Sequence, residues 1–295
     1  MSDCRTCVID VGGGQRGIFG AGVFDRCLDE GAAFDCCIGV SAGGANVMSF
    51  LGGQKGRNYA FYREYAKRKD YMSLSNLLRK GSYIDLDYIY GTLSNEGGEN
   101  PLDYDRIASF DGRFYIVATD AAKGEAVYFS IEDVPRNDYR ALNASSCLPV
   151  MCRPVAIDGV DYYDGGVADP VPLEKALAEG AEKIVLILTR PTEFVMDGKF
   201  ENVAAKLLEK KYPACAAALR DRSRKYNEAV AKAKVLAEEG RCLIVAPSVV
   251  NGTGTVEKDD AVLEGLYREG YENGGWIRAF LTERNCEFVA LTQTP

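Results

Sequence analysis

Gly39-Val40-Ser41-Ala42-Gly43 is a G-x-S-x-G pattern, the spacing of a serine hydrolase elbow. Small residues on either side let the backbone turn sharply enough to present the hydroxyl. A serine in this role normally passes its proton to a histidine. This 295-residue chain contains no histidine. The proton acceptor is therefore sought among Asp, Glu, Lys, Tyr, Cys and a terminal amine. Asp164, in "YYDGGVADPVP" (162–172), stands directly before two glycines, on a turn that can approach a second backbone closely. Ordinary Asp-Gly turns also occur at Asp111-Gly112, Asp158-Gly159 and Asp197-Gly198, so spacing alone leaves the base open. Ser41 itself can equally be read as an N-cap of the following helix.

A second chemical turn is "GGGQRG", Gly12 to Gly17. It satisfies G-x-G-x-x-G after a strand and before a helix, the dinucleotide-binding fingerprint. That site requires an acid near the end of the second strand to hold a ribose. Here the second strand ends in Gly39-Val40-Ser41, and Asp35 lies at its start. The other reading is an oxyanion hole, with Gly12, Gly13 and Gly14 offering backbone N–H groups and Arg16 steadying the loop or the charge.

The surrounding elements place both turns. "CVIDV" (7–11) and "FDCCIGV" (34–40) read as buried strands, each followed by a helix, at 17–31 and 41–53. This βαβα opening predicts an α/β fold with a mostly parallel central sheet flanked by helices. Both turns then sit at strand C-termini and share one crevice. Hairpins are predicted at 113–130 and 155–166, a helix at 138–150 ending near Pro149, and a helix and strand over 172–190. A helical stretch interrupted at Pro213, a strand at 242–248 and a helix at 257–274 follow. No internal repeat or flexible linker is visible.

Bulk properties narrow the class. A net charge of −8 argues against a nucleic-acid partner. The ten cysteines are scattered, several in apolar runs such as Cys36-Cys37, and read as reduced buried thiols. Cys4-x-x-Cys7 has no second pair to complete a metal site, and its ordinary reading is structural. No run approaches the roughly 18–20 apolar residues of a membrane span. The start "MSDCRTCVIDVGGG" lacks the n-region of a signal peptide, so a cytoplasmic location is expected.

"GGGQRG", "GVSAG" and "DGG", in that order, resemble the three signature blocks of the patatin-like phospholipase family. "NASSCLP" (143–149) resembles a further block, and the match runs from about residue 7 to about 190. The remaining third is similar to the C-terminal extension of bacterial members, most visibly at "LEGLYREGYENG" (263–274). The resemblance implies a three-layer α/β/α catalytic domain over 1–190 and a mostly helical extension over 191–295, packed on the core. It also implies lipid acyl-ester hydrolysis of the phospholipase A or lysophospholipase type, by a Ser-Asp dyad that needs no histidine, metal or cofactor. Carried onto this chain, Ser41 is the nucleophile, Asp164 the base, and Gly12, Gly13, Gly14 and Arg16 the oxyanion region. Family members often carry Asn-x-Pro after the glycines, where this chain has Asp169-Pro170-Val171-Pro172.

A lipid chain needs an apolar channel. Met48–Phe50 and the tyrosine-rich 59–90 segment are candidates for its lining or lid, although aromatics at helical spacing are most often core. Basic groups at 55–69 and 206–225 offer transient contact with anionic lipid headgroups, against the plainer reading of solvated helix faces. Two rivals stand beside the hydrolase: a dinucleotide-binding oxidoreductase using Gly12–Gly17, and a non-catalytic lipid-binding relative.

Overall fold

Short apolar runs of this kind form strands only where both faces of the sheet are covered. The computed structural model, which describes residues 5–249 and 259–282, has that arrangement. The strands are β1 (Thr6–Asp10), β2 (Cys36–Val40), β3 (Arg113–Asp120), β4 (Glu125–Phe129), β5 (Val155–Ile157), β6 (Val160–Asp164), β7 (Lys183–Ile187) and β8 (Cys242–Val245). They form one sheet in the order β5-β6-β3-β2-β1-β7-β8, with β4 added on β3. The pairs β3-β2, β2-β1, β1-β7 and β7-β8 are parallel. The β3-β4, β3-β6 and β5-β6 pairs are antiparallel, which accounts for the two hairpins.

The helices are α1 (Ile18–Glu30), α2 (Ala42–Leu51), α3 (Arg57–Arg63), α4 (Leu74–Lys80), α5 (Tyr104–Ala108), α6 (Arg140–Ser146), α7 (Leu173–Ala178), α8 (Lys199–Leu208), α9 (Pro213–Glu238) and α10 (Asp260–Thr282). Period-two alternation divides the core. Val8 of β1 packs in one cluster with α1, α2, α6 and α10, while Cys7 and Ile9 pack in another with α7 and α9. The result is the three-layer α/β/α arrangement.

The region after residue 190 contributes to both faces and to the sheet edge. α9 covers one face of the sheet, and α10 lies against α1. That crossing is close because glycines face backbone: a Cβ on Gly22 would collide with Tyr267 O, and one on Gly270 with Phe19 O. The interruption expected at Pro213 falls instead at 209–212. Pro213 is the first residue of α9, where its missing N–H leaves nothing unsatisfied. Helix α10 begins at Asp260; residues 257 and 258 of the expected helix lie outside the described residues.

Sheet register brings the two chemical turns together. β2 pairs with residues 113–117 of β3, and β4 pairs with 116–120, so these two occupy opposite edges of β3. β6 pairs with 118–120, where β4 also pairs, so β6 shares the edge used by β2. β2 and β6 therefore run end to end along one edge. Val40 is opposite Val117 and Asp164 opposite Ala118, one strand residue apart, about 3.3 Å of rise.

The eight described cysteines are all buried and joined by no disulfide. Cys7 belongs to the core, and Cys4 lies outside the described residues. No helix among the described residues is long and apolar enough to cross a membrane.

Candidate active site

Ser41 stands between β2 and α2 with φ 56° and ψ −130°. A side-chain-bearing residue holds such a conformation only at a cost of order 1–3 kcal/mol, which the surroundings must enforce. They do so through glycine. A Cβ on Gly39 would collide with the Gly44 backbone, and one on Gly43 with Asp10 O. Ser41 N donates to Ser145 Oγ at 2.8 Å, which ties the turn to α6 and gives the "NASSCLP" block a task. Helix α2 starts at Ala42, so its free N–H groups and positive dipole end lie at the serine.

The glycine turn packs directly on this elbow. A Cβ on Gly12 would overlap Val40 O and crowd the N atoms of Ala42 and Gly43. Gly12, Gly13 and Gly14 all have positive φ, at 65°, 127° and 61°. Asp10, the last residue of β1, organises the turn: Oδ1 accepts from Gly12 N at 2.8 Å and Oδ2 from Asn46 Nδ2 at 2.8 Å. Asn46, on α2, also donates to Gly17 O at 2.8 Å. Thr189 Oγ1 donates to Gly12 O. The Gly12 N–H expected in an oxyanion hole is thus committed to Asp10. Gly13 and Gly14 are the glycines of the turn left to offer donors beside Ser41.

Asp164 is 4% exposed. Its backbone is clamped, with N donating to Cys147 O at 2.9 Å and O accepting from Thr119 Oγ1 at 2.8 Å. Gly165 after it touches Val117 O so closely that no side chain fits. Oδ1 accepts from Gly166 N at 2.8 Å, and Oδ2 has no hydrogen-bond partner of full geometry. Burial pushes the Asp164 carboxyl up to about 6. The Ser41 hydroxyl, the Gly166 N–H and the Arg222 charge, in that order, favour its ionised form and limit the rise. A buried carboxylate with one oxygen free of hydrogen bonds, next to a hydroxyl that favours its ionised form, has the make-up of a proton acceptor near neutral pH.

Two cavities meet at Ser41. The narrow one, about 40 Å³, runs between Ser41 and the aromatic rings of Phe61, Tyr62, Tyr71 and Tyr90. The tyrosine-rich segment therefore lines the serine as well as the core. Met48 and Phe50 do not: Met48 is buried, and Phe50 packs on Phe24 and Phe34 at ring-centroid distances of 5.0 and 5.9 Å. The wide cavity, about 670 Å³, is lined by Ser41, Asp164, Gly13 and the guanidinium-bearing Arg16, Arg190 and Arg222. Its far wall comes from Phe194, Met196, Phe200 and Leu219, all beyond residue 190.

Many of the basic groups considered for lipid contact have partners within the chain. Lys55 pairs with Asp29 at 2.6 Å, Arg68 with Glu99 at 2.8 Å, and Arg63 and Lys67 with Asp260. Arg220 pairs with Glu209 at 3.0 Å and Arg224 with Asp221 at 2.7 Å. No group of three or more metal-ligating side chains occurs among the described residues. No acid holds the end of β2 for a dinucleotide ribose, because Ser41 stands there.

Sequence reasoning missed Asp10, Asn46 and Arg190; it met Ser145 only within "NASSCLP" and Arg222 only among the basic groups of 206–225, neither as a site residue. Asp10 left a signal of its own: a carboxylate inside an apolar strand run demands a buried partner. Arg222 reaches the site through the packing of α9, and no local pattern announces it.

The sequence profile described as patatin-like phospholipase matches residues 11–177, and a domain of unknown function (DUF6363) matches residues 212–281. The uncharacterized protein YjjU of Escherichia coli is 32% identical over 194 residues, covering 64% of this chain and 53% of YjjU. Lysophospholipase NTE1 of Yarrowia lipolytica is 26% identical over 182 residues, covering 60% of this chain and 12% of that protein. The chain thus spans about half of the first relative and a small part of the second. Among solved structures, VipD from Legionella pneumophila aligns with a TM-score of 0.47 at 16% identity, covering 93% of this chain and 66% of VipD.

Proposed function

The chain belongs to the patatin-like phospholipase family, and from that premise we propose that it is a serine acyl-ester hydrolase of the phospholipase A or lysophospholipase type. Ser41 is the nucleophile and Asp164 the base. The observation that carries this proposal is the pair itself: a strained serine and a buried carboxylate with one unpartnered oxygen, the serine following Val40, which lies one register step from Asp164 along β3. The chemistry lies before residue 190, and side chains between Phe194 and Tyr226 help to line the cavity in which it occurs.

Asp164 Oδ2 accepts the Ser41 hydroxyl proton as Oγ attacks the ester carbonyl carbon. The carbonyl oxygen becomes an oxyanion facing the N–H groups of Gly13, Gly14 and Ala42, with Arg16 adding positive charge nearby. One such donor is typically worth about 10²–10³ in rate. Collapse expels the alcohol, which takes the proton from Asp164. Water then repeats the sequence, with Asp164 again as base, and releases the fatty acid. A free Asp, near pKa 3.9, is a weak base at neutral pH, and burial of Asp164 to about 6 corrects this.

Labelling with a fluorescent fluorophosphonate tests the dyad. The wild-type chain is expected to label at Ser41, mapped by peptide mass, and Ser41→Ala to stay dark. Asp164→Asn is expected to fold and to lose labelling. A folded wild-type protein that takes no label would point to the non-catalytic lipid-binding relative. Undiminished labelling of Asp164→Asn would remove Asp164 from the mechanism.

A further inference from the structure

Arg16, Arg190 and Arg222 reach the wide cavity from three separate parts of the chain. Arg16 follows the glycine turn, Arg190 follows β7, and Arg222 projects from α9. Two of them lie beyond the residues matched by the patatin-like profile. Their surroundings differ. Arg222 donates through Nε to Gly166 O at 2.7 Å and through Nη1 to Glu201. Arg190 lies over the Phe194 ring, 4.3 Å from its centroid. Arg16 is 8% exposed, and its Nε and Nη1 have no hydrogen-bond partner.

A buried guanidinium without acceptors is costly, in its charge and in its unmade donor bonds alike. The other two arginines aggravate it: burial first, then the charges of Arg190 and Arg222, pull Arg16 down to about 10. The carboxylates at hand are engaged elsewhere. Glu201 serves Arg222, Asp197 is paired with Lys199 at 3.0 Å, and Asp164 answers to Gly166 N and to the Ser41 hydroxyl. What satisfies Arg16, with Arg190 and Arg222 lining the same cavity, is a tetrahedral oxyanion, whose oxygens match the guanidinium fork.

We propose that Arg16, Arg190 and Arg222 form a subsite for a phosphoester group carried by an amphiphile. The cavity, about 670 Å³, far exceeds a phosphate ion, and its apolar wall of Phe194, Met196, Phe200 and Leu219 suits a hydrocarbon portion. The subsite stands on the arginine geometry; that its occupant is also the ester cleaved at Ser41 rests on the hydrolase proposal.

The test is calorimetric titration of the full-length Ser41→Ala protein, which cannot turn over. The probes are n-dodecyl phosphate and n-dodecyl maltoside, below their micellar concentrations, and inorganic phosphate. Dodecyl phosphate is expected to bind at least ~10-fold more tightly than either comparator, the effect of one or two charge-assisted contacts. Arg190→Gln in the same background is expected to weaken it by about 10-fold and Arg190→Lys by less. Equal affinity for the maltoside would overturn the proposal. Equal affinity for inorganic phosphate would overturn the lipid-borne source. Unchanged binding by Arg190→Gln would remove that arginine from the subsite and with it the proposed triad. Because the ligand comparison needs no arginine variant, a misfolded mutant does not blunt it. Binding without fluorophosphonate labelling would refute the dyad and leave the subsite standing; labelling without phosphate preference would do the reverse.

Discussion

Asp10 and Asp164 end two strands of the same sheet, and burial pushes both carboxyls up to about 6. Their surroundings are opposite. Asp10 has a donor on each oxygen, Gly12 N and Asn46 Nδ2, and no reacting group in contact. Asp164 has one oxygen on Gly166 N and the other without a full partner, beside Ser41. A raised pKa alone does not separate a structural carboxylate from a chemical one. The unoccupied oxygen does, because a proton can be received only where an acceptor is not already engaged.

The largest expected effect is on acylation. Asp164→Asn should lower fluorophosphonate or short-chain ester acylation by ~10³-fold or more, the scale of losing a base from a nucleophile pair. Asp10→Asn should lower it far less, acting only through the set of the glycine turn. Equal losses in the two variants would erase the distinction between the carboxylates.

The pH profile comes next in size. Ser41 attack requires Asp164 as carboxylate, so kcat/KM should fall about tenfold per unit as pH drops below about 6. The chain contains no histidine, so no imidazole limb contributes. Asp10→Asn should keep this limb at the same position. A limb that moves or vanishes in Asp10→Asn would assign it to the wrong carboxylate. A profile flat from pH 4 to 7 would deny Asp164 its part.

The contrast also marks what was legible in the chain. Ser41 stood out by its glycine-flanked turn, whereas Asp164 was singled out from the other Asp-Gly turns only by the family resemblance; Gly39, Gly43 and Gly165 each face backbone that excludes a side chain. The strands β1, β2, β7 and β8 were readable because both faces of each are mostly buried. The end-to-end placement of β2 and β6 was not, since register is set by the pairing of each with β3, as in Val40 with Val117 and Ala118 with Asp164, far apart in the chain. Asp10 was passed over as one polar residue in "CVIDV", and its partner Asn46 lies a helix away. Arg190 follows β7 and Arg222 enters from α9, an element that was visible in the sequence but whose facing was not. The same gap explains Pro213, read as a break and found at the start of a helix.

Stability offers a smaller test. Asp10 joins β1, the glycine turn and α2 by two hydrogen bonds to a charged acceptor. Asp10→Asn keeps one acceptor oxygen and places an amide N–H₂ against a donor. It should cost about 3 kcal/mol, in the range for hydrogen bonds to a charged group left unmade. For a chain of this size that lowers Tm by roughly 5–10 °C, measured by thermal melting at pH 7. Asp10→Asn melting with the wild type would show that its two bonds are not structural.

Asp164→Asn should do the opposite, by the smallest amount. A carboxyl whose folded pKa lies near 6, above the unfolded value of about 3.9, is protonated more readily in the folded state. Its contribution to stability is therefore fully present below about pH 4, is lost as pH rises toward 6, and stays lost above. Carboxyls held low by ion pairs, such as Asp29 beside Lys55, act in the reverse direction as pH falls. The Asp164 contribution is consequently read from the difference between wild type and variant. Asn at 164 removes the buried charge, and its amide oxygen can still accept from Gly166 N. At pH 7 the variant should be more stable than wild type by about 1–2 kcal/mol, and the difference should shrink to near zero at pH 4. Chemical denaturation at both pH values measures it. A variant less stable than wild type at pH 7 would mean that the Asp164 charge is already compensated in the folded chain. Its unpartnered oxygen would then be an ordinary part of the fold, and the contrast with Asp10 would rest on the kinetics alone.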